Sequence, residues 1–303
     1  MTPAAAGRPG PDVSVRLAVA QLAADGPAAG EALGAWRDRL LTLATRAVAA
    51  AGEAGCGVVV LPEYTSGWQA RLGPELADDE AGTLVGGLRA AARAAGIAVV
   101  VGVLVPASGD RARNLTLVIA PDGEVVGRYA KVHLYDAYGA RESDLLDAGE
   151  PDRPLVVDMP TADGWVLRLG VVTCYDLRFP ESVRALTDVA GGAPVDVVAV
   201  GAAWSGGPDK AEQLRTLVRA RAIENTAYVA LASQAGRGRV GGSAIVDPRG
   251  AVLAAVDDGA DRGSRVGADA PVLAVATITG EELARVREAS PVLRHRRYRV
   301  TPA

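Results

Sequence analysis

Leu169-Gly170-Val171-Val172-Thr173-Cys174-Tyr175-Asp176 is the stretch that decides the fold. An unbroken apolar run of this length reads as a strand buried on both faces, and this one stops at a thiol and a carboxylate. Two other stretches behave in the same way. Val58-Val59-Val60-Leu61-Pro62-Glu63-Tyr64 ends in a carboxylate, and Tyr129-Ala130-Lys131-Val132-His133-Leu134 carries an ammonium. In open α/β sheets ligands bind at the carboxyl ends of strands. A carboxylate, an ammonium and a thiol each lie where such a site would be.

Outward from these runs the chain alternates strand and helix. Val15–Gln21 reads as a strand, and Glu31–Ala54 has helical spacing with Leu33, Trp36, Leu40, Leu43, Ala44 and Val48 on one stripe. Asp79–Ala95 is helical, with Gly96 as its stop, and Ile97–Val105 is a strand. Asn114–Ala120 and Val125–Tyr129 flank the turn Pro121-Asp122-Gly123. In the second half Leu155–Met159 and Trp165–Val172 flank Asp163-Gly164. Ser182–Ala190 reads as a helix, Val195–Gly201 as a strand, Lys210–Glu224 as a helix and Tyr228–Ser233 as a strand. Ser243–Val246 and Ala251–Val256 flank a turn, followed by a strand at Val272–Ile278 and a helix at Glu281–Glu288. Hairpins and crossover helices in both halves predict an α/β fold of two stacked sheets, each covered outside by helices. No linker or short repeat divides the chain, so it reads as one domain.

Composition removes several function classes. The net charge is −4, whereas a nucleic-acid binder carries a basic excess or stripe. The one basic cluster, Arg294, Arg296, Arg297 and Arg299, reads as a solvated or salt-bridged tail. No apolar run approaches the ~18 residues of a membrane span. The segment before Val13 reads as a loose tail with no apolar signal core. Cys56 and Cys174 are too few for a disulfide framework and fit a reducing cytoplasm.

A thiol beside a cation and a base is the arrangement of an activated nucleophile. The cation lowers the thiol pKa, the base takes its proton, and a lysine can face the oxyanion formed at a carbonyl. Taken singly, each residue has a plainer reading. Buried cysteines are mostly inert, and a glutamate or lysine in a loop is mostly solvated. Cys56, at a helix-to-strand turn without an adjacent charge, keeps the plain reading.

The flanking residues add a resemblance. Leu61-Pro62-Glu63-Tyr64, Tyr129-Ala130-Lys131-Val132-His133-Leu134 and Cys174-Tyr175-Asp176-Leu177-Arg178-Phe179-Pro180-Glu181, in that order, resemble the nitrilase superfamily, or carbon–nitrogen hydrolases. So do the stretches 219–226, 242–250 and 291–297. The resemblance spans about residues 14–298, which implies a single catalytic domain between a 1–13 tail and a 299–303 tail. It implies a four-layer αββα sandwich and the catalytic set Glu63, Lys131 and Cys174. Glu142, in a Glu-Ser…Gly setting after the lysine, is where family members often carry a second glutamate.

The implied reaction is hydrolysis of a non-peptide C–N bond through a cysteine thioester, needing no metal or organic cofactor. Lys131 and the Tyr175 N–H would hold the oxyanion. The Cys174–Glu181 motif is closest to the ω-amidase and small-amide branch, whose substrates also carry a carboxylate. Arg178 would hold that carboxylate, or else form an internal salt bridge with Asp176 or Glu181. Trp204, in 201–207 after a buried strand, is a pocket wall or core, and Tyr135, Asp136 and Tyr138 would shape the entrance. Rival readings are an N-carbamoyl hydrolase or nitrilase on the same scaffold, an acyltransferase, a glutamine-dependent synthetase, and a non-catalytic binding protein. The expected partners are a small amide and a second copy of the chain, as a homodimer or larger assembly, with neither nucleic acid nor membrane.

Overall fold

Val58, Val59 and Val60 alternate between two cores, and that alternation explains the layers. Val58 and Val60 pack with Leu169, Val171, Val197 and Ala230 between two sheets. Val59 faces the other way, with Leu43, Ala47, Val85 and Leu88 of covering helices. A strand apolar on both faces is what a layer covered on both sides requires. The structure is a computed structural model that describes residues 13–68, 76–78, 82–189, 193–256 and 271–303.

The first sheet is built from β1 (Ser14–Gln21), β2 (Val58–Val60), β3 (Ala98–Pro106), β4 (Ala112–Ile119) and β5 (Val125–Ala130), with a short β6 (Leu146–Asp147) and the late β13 (Val272–Thr279). Its order is β13-β1-β2-β3-β4-β5, with β6 on β4. The helices α1 (Leu33–Glu53) and α2 (Thr83–Ala95) make β1, β2 and β3 parallel by crossover. The second sheet contains β7 (Leu155–Pro160), β8 (Val166–Thr173), β9 (Val197–Ala202), β10 (Tyr228–Ser233), β11 (Ala244–Val246) and β12 (Val252–Ala255), in the order β12-β11-β10-β9-β8-β7. Its helices α3 (Pro180–Ala185) and α4 (Lys210–Asn225) bury Val183, Leu214, Val218 and Ala222 on the outer face. The last helix, α5 (Gly280–Ala289), is capped by Thr279 Oγ1, which accepts from Glu282 N at 3.2 Å. This is the expected αββα sandwich.

Elements differ from the expectation mainly at their ends. The helix expected over Ser182–Ala190 begins earlier, at Pro180, whose fixed φ suits the first helical position, and ends at Ala185. Asp188 is instead drawn to Arg296 at 2.6 Å, so part of the basic C-terminal cluster is salt-bridged. Gly96 closes α2 in the left-handed region, at φ 67°. Residues 79–81 of the helix expected from Asp79, Ala190, and the tail residues 1–12 lie outside the described residues.

Two glycines fix where the chain leaves β2. A Cβ on Gly102 of β3 would lie 2.6 Å from Glu63 Cα, and one on Gly201 of β9 would lie 3.0 Å from Glu63 N. The backbone of Pro62-Glu63 therefore passes between one strand of each sheet, which only a missing side chain permits. No described helix is long and apolar enough to cross a membrane.

Candidate active site

Glu63, just past β2, is 1 % exposed, and its carboxylate is fully engaged. Oε1 accepts from Asn114 Nδ2 of β4 at 2.8 Å and from Lys131 Nζ, just past β5, at 2.9 Å. Oε2 accepts from Ala203 N, just past β9, at 2.8 Å. A buried carboxylate needs such partners, since leaving one unpaired costs several kcal/mol. Lys131, also 1 % exposed, donates as well to Glu142 Oε2 at 2.8 Å. Glu142 begins the 3-10 turn Glu142–Asp144 and is held by Tyr64 Oη at 2.7 Å and by Tyr135 N at 2.8 Å.

Cys174 follows β8 at the start of the 3-10 turn Cys174–Arg178, with φ 45°. A side chain in the left-handed region costs about 1–3 kcal/mol and persists only where its surroundings over-determine it. Here they do. Asp176, fully buried, receives Thr173 N at 3.0 Å, Tyr129 Oη at 2.8 Å and His133 N at 3.1 Å, with His133 Nδ1 at 2.8 Å. Thr173 and Asp176 form a capping box around the turn. The thiol so placed feels the Glu63 carboxylate, which raises its pKa, and the Ala203 N–H, which lowers it.

The electrostatics depart from the sequence expectation in one respect. Lys131 does favour the thiolate, but burial and the Glu63 charge outweigh it, and the Cys174 pKa is pushed well above its usual value. At rest the Cys174 side chain is therefore a neutral thiol. Burial also raises the Glu63 pKa, against Lys131 and with the help of Glu142. Burial opposes the Lys131 charge, yet Glu142 and Glu63 together hold its pKa well above the ordinary lysine value. A neutral thiol, a carboxylate inclined to take a proton and a permanent cation therefore meet at one point.

Of the ten residues chosen from the sequence, eight, Glu63, Lys131, Tyr135, Glu142, Cys174, Tyr175, Arg178 and Trp204, line one cavity of about 230 Å³, and Asp136 and Tyr138 are not among its lining residues. Tyr135 meets Tyr175 edge-on, with ring centroids 5.0 Å apart. Asp136 accepts from Ser143 N at 3.0 Å, closing the loop that leads to Glu142. Arg178 forms neither of the salt bridges expected for it. Asp176 is already saturated, and the guanidinium donates instead to the neutral Gln213 Oε1 at 2.7 Å, its Cζ 4.9 Å from the Trp204 ring centroid. Cys56 is a buried core residue, as its plain reading required. Sequence reasoning missed Asn114, Asp176 and Tyr64 as supports, and Lys210 as a lining residue. A polar side chain inside an apolar strand was the available signal for Asn114.

The Carbon-nitrogen hydrolase family profile matches residues 16–288. The chain belongs to the carbon–nitrogen hydrolase family. It is 35 % identical over 254 residues to a deaminated glutathione amidase of Escherichia coli O157:H7, covering 83 % of this chain and 88 % of that one. It is 30 % identical over 240 residues to a 2-oxoglutaramate amidase of Bacillus subtilis, covering 78 % and 83 %. It also superposes, at TM-score 0.70 and 25 % identity over 95 % of this chain and 99 % of the other, on the amidase from Nesterenkonia sp. AN1. That structure is a glutamate-to-glutamine variant with the acetamide moiety of fluoroacetamide added covalently at the active-site cysteine. This carbon–nitrogen hydrolase is an enzyme of the amidase kind.

Proposed function

We propose that this carbon–nitrogen hydrolase cleaves a short amide that also bears a carboxylate, using Cys174, Glu63 and Lys131 as its catalytic residues. The observation that carries the substrate class is Arg178. Its guanidinium lines the cavity, its Nε is buried without a partner, and among the described residues no carboxylate pairs with it. A half-buried cation facing a cavity favours an anionic guest, and a guanidinium fits a carboxylate two-pronged. 2-Oxoglutaramate, for which the Bacillus subtilis relative is named, is an amide of this type.

The chemistry follows from the charge states. Glu63 takes the Cys174 proton as the sulfur attacks the amide carbon. The carbonyl oxygen becomes an oxyanion facing Lys131 and the Tyr175 N–H. Glu63 returns the proton to the nitrogen, the C–N bond breaks, ammonia leaves and a thioester remains. Glu63 then takes a proton from water, whose oxygen attacks the thioester carbon, and the sulfur leaves with the proton restored. Glu142, fixed by Tyr64 and Tyr135, keeps Lys131 charged and orients it.

The same reading takes residues 14–298 as one catalytic domain, a homodimer or larger assembly as the working form, and a cytoplasmic location. The family resemblance and the two free cysteines support it. The test is ammonia release from valeramide and glutaramate, beside matched N-carbamoyl compounds and nitriles, with Cys174→Ala as control. Turnover of glutaramate above valeramide, abolished in Cys174→Ala and with the preference lost in Arg178→Gln, is expected. Turnover confined to carbamoyl compounds or nitriles would overturn the substrate class.

A further inference from the structure

Besides Lys131 and Arg178, the cavity is lined by a lysine that the reaction above does not use. Lys210, the first residue of α4, is 7 % exposed and lines the cavity with Arg178 and Trp204. Among the described residues no carboxylate lies within ion-pair distance of its ammonium. The two carboxylates that line the cavity are otherwise committed, since Glu63 and Glu142 are both held by Lys131. The ammonium lies instead 3.1 Å from the ring centroid of Tyr138, which is 74 % exposed. A cation over an exposed ring is held only weakly, much less than a carboxylate in charge-assisted contact would hold it.

Lys210 and Arg178 are tied to the same indole. Trp204 Nε1 donates to the Lys210 carbonyl at 3.1 Å, and Arg178 lies against the Trp204 ring. Arg141 also lines the cavity, but it is exposed and neutralised by Asp144 at 3.1 Å, so it is no counterpart. The pocket therefore offers two fixed cations without anions beside one indole wall.

We infer that Lys210 is a specificity-determining residue that binds a second anionic group, so that the substrate is an amide bearing two carboxylates, one on Arg178 and one on Lys210. This rests on the proposed carboxylate-amide hydrolysis. Tyr138 then holds the ammonium in place while the pocket is empty and yields it when the second carboxylate enters.

The experiment compares kcat/KM for valeramide, glutaramate and two dianionic amides. These are 3-carboxyglutaramate, with the added carboxylate on the acyl chain, and N-glutarylglycine, with it on the leaving amine. The readout is the ratio of the better dianion to valeramide, for the native enzyme, Lys210→Gln, Lys210→Arg and Tyr138→Leu. The expected result is a native preference for a dianion over glutaramate, a ratio lowered at least tenfold in Lys210→Gln, mainly through KM, and one largely restored in Lys210→Arg. Tyr138→Leu should keep the preference. A ratio unchanged in Lys210→Gln overturns the inference. So does an equal loss in Tyr138→Leu, since the lysine would then act only by anchoring the ring. A native enzyme that prefers glutaramate to valeramide but gains nothing from a second carboxylate overturns this inference alone. One that prefers valeramide to all three anions overturns the carboxylate-amide reading as well.

Discussion

Glu63 Oε1 and Lys131 Nζ lie 2.9 Å apart, with both side chains about 1 % exposed. Burial raises the Cys174 thiol pKa most, and the pair acts on it in opposition, the carboxylate raising it further and the ammonium lowering it. Glu63→Gln keeps the shape and removes the charge, at the cost of turning one N–H toward the Ala203 N–H that Oε2 now accepts from. The Cys174 pKa should then fall, because Lys131 is left unopposed. Turnover should drop about 10²–10⁴-fold for want of the base, while alkylation of Cys174 by iodoacetamide continues at a rate close to native. Measured side by side, parallel loss of labelling and turnover would refute this division of roles.

The acidic limb of the pH profile belongs to the same carboxylate. The proposed mechanism needs Glu63 ionised, so activity should be lost as pH falls through its pKa. Burial lifts that pKa above the ordinary carboxylate value, so the limb should lie at higher pH than for a solvated glutamate. Asn114 Nδ2 donates to the charged form at 2.8 Å. Asn114→Ala removes that stabilisation, and the limb should move up by roughly one pH unit, the equivalent of one hydrogen bond to a charged group. A kcat/KM profile between pH 4 and 9, each variant against native, reads the shift. A limb that stays in place would show that Asn114 serves only to fill space.

How much of this was legible follows from where each interaction closes. Glu63, Lys131 and Cys174 stood out because each interrupts or ends an apolar run, a one-dimensional signal that the two-sheet fold turns into a meeting point. The supports are different. Asn114 lies 51 residues from Glu63, and Tyr64 reaches Glu142 across 78 residues. Nothing local marks such pairs. The plainer reading of Arg178 put it on Asp176 or Glu181, yet Asp176 is claimed by Tyr129 and His133 from the other half of the chain. Lys210 read as an ordinary helix start. What puts it in the cavity is the left-handed Asp209 before it, at φ 59°, and the placement of α4 beside Trp204.

Asp176 is expected to act on the reaction only through Cys174, as a positioning residue. Both of its oxygens accept, so an amide group there must turn an N–H toward a donor. Asp176→Asn should cost about 2–3 kcal/mol of stability by leaving buried polar groups mismatched. It should also lower kcat more than it raises KM, since the 3-10 turn would no longer hold Cys174 at φ 45°. Tyr129→Phe removes one of the bonds and should cost about 1 kcal/mol. Urea unfolding read beside steady-state kinetics separates the two effects. A stability loss with kcat intact would confine Asp176 to the fold.

Gly102 tests whether the passage between the sheets sets the geometry of the base. It carries no chemistry and sits inside β3, in an antiparallel register opposite Thr116. A methyl group there would stand 2.6 Å from Glu63 Cα and 3.0 Å from Pro62 O, both backbone atoms that cannot rotate aside. The Pro62-Glu63 segment must move, and with it the carboxylate that Asn114, Lys131 and Ala203 now hold. Overpacking of this kind costs about 1–3 kcal/mol, and a misplacement near 1 Å at a reacting group costs about 10²-fold in rate. Gly102→Ala should therefore fold with reduced stability and lose activity far beyond what the stability change explains. At a temperature where native and variant are both folded, by circular dichroism, ammonia release within a fewfold of native would mean that the sheet gives way instead and that the position of Glu63 does not depend on this contact.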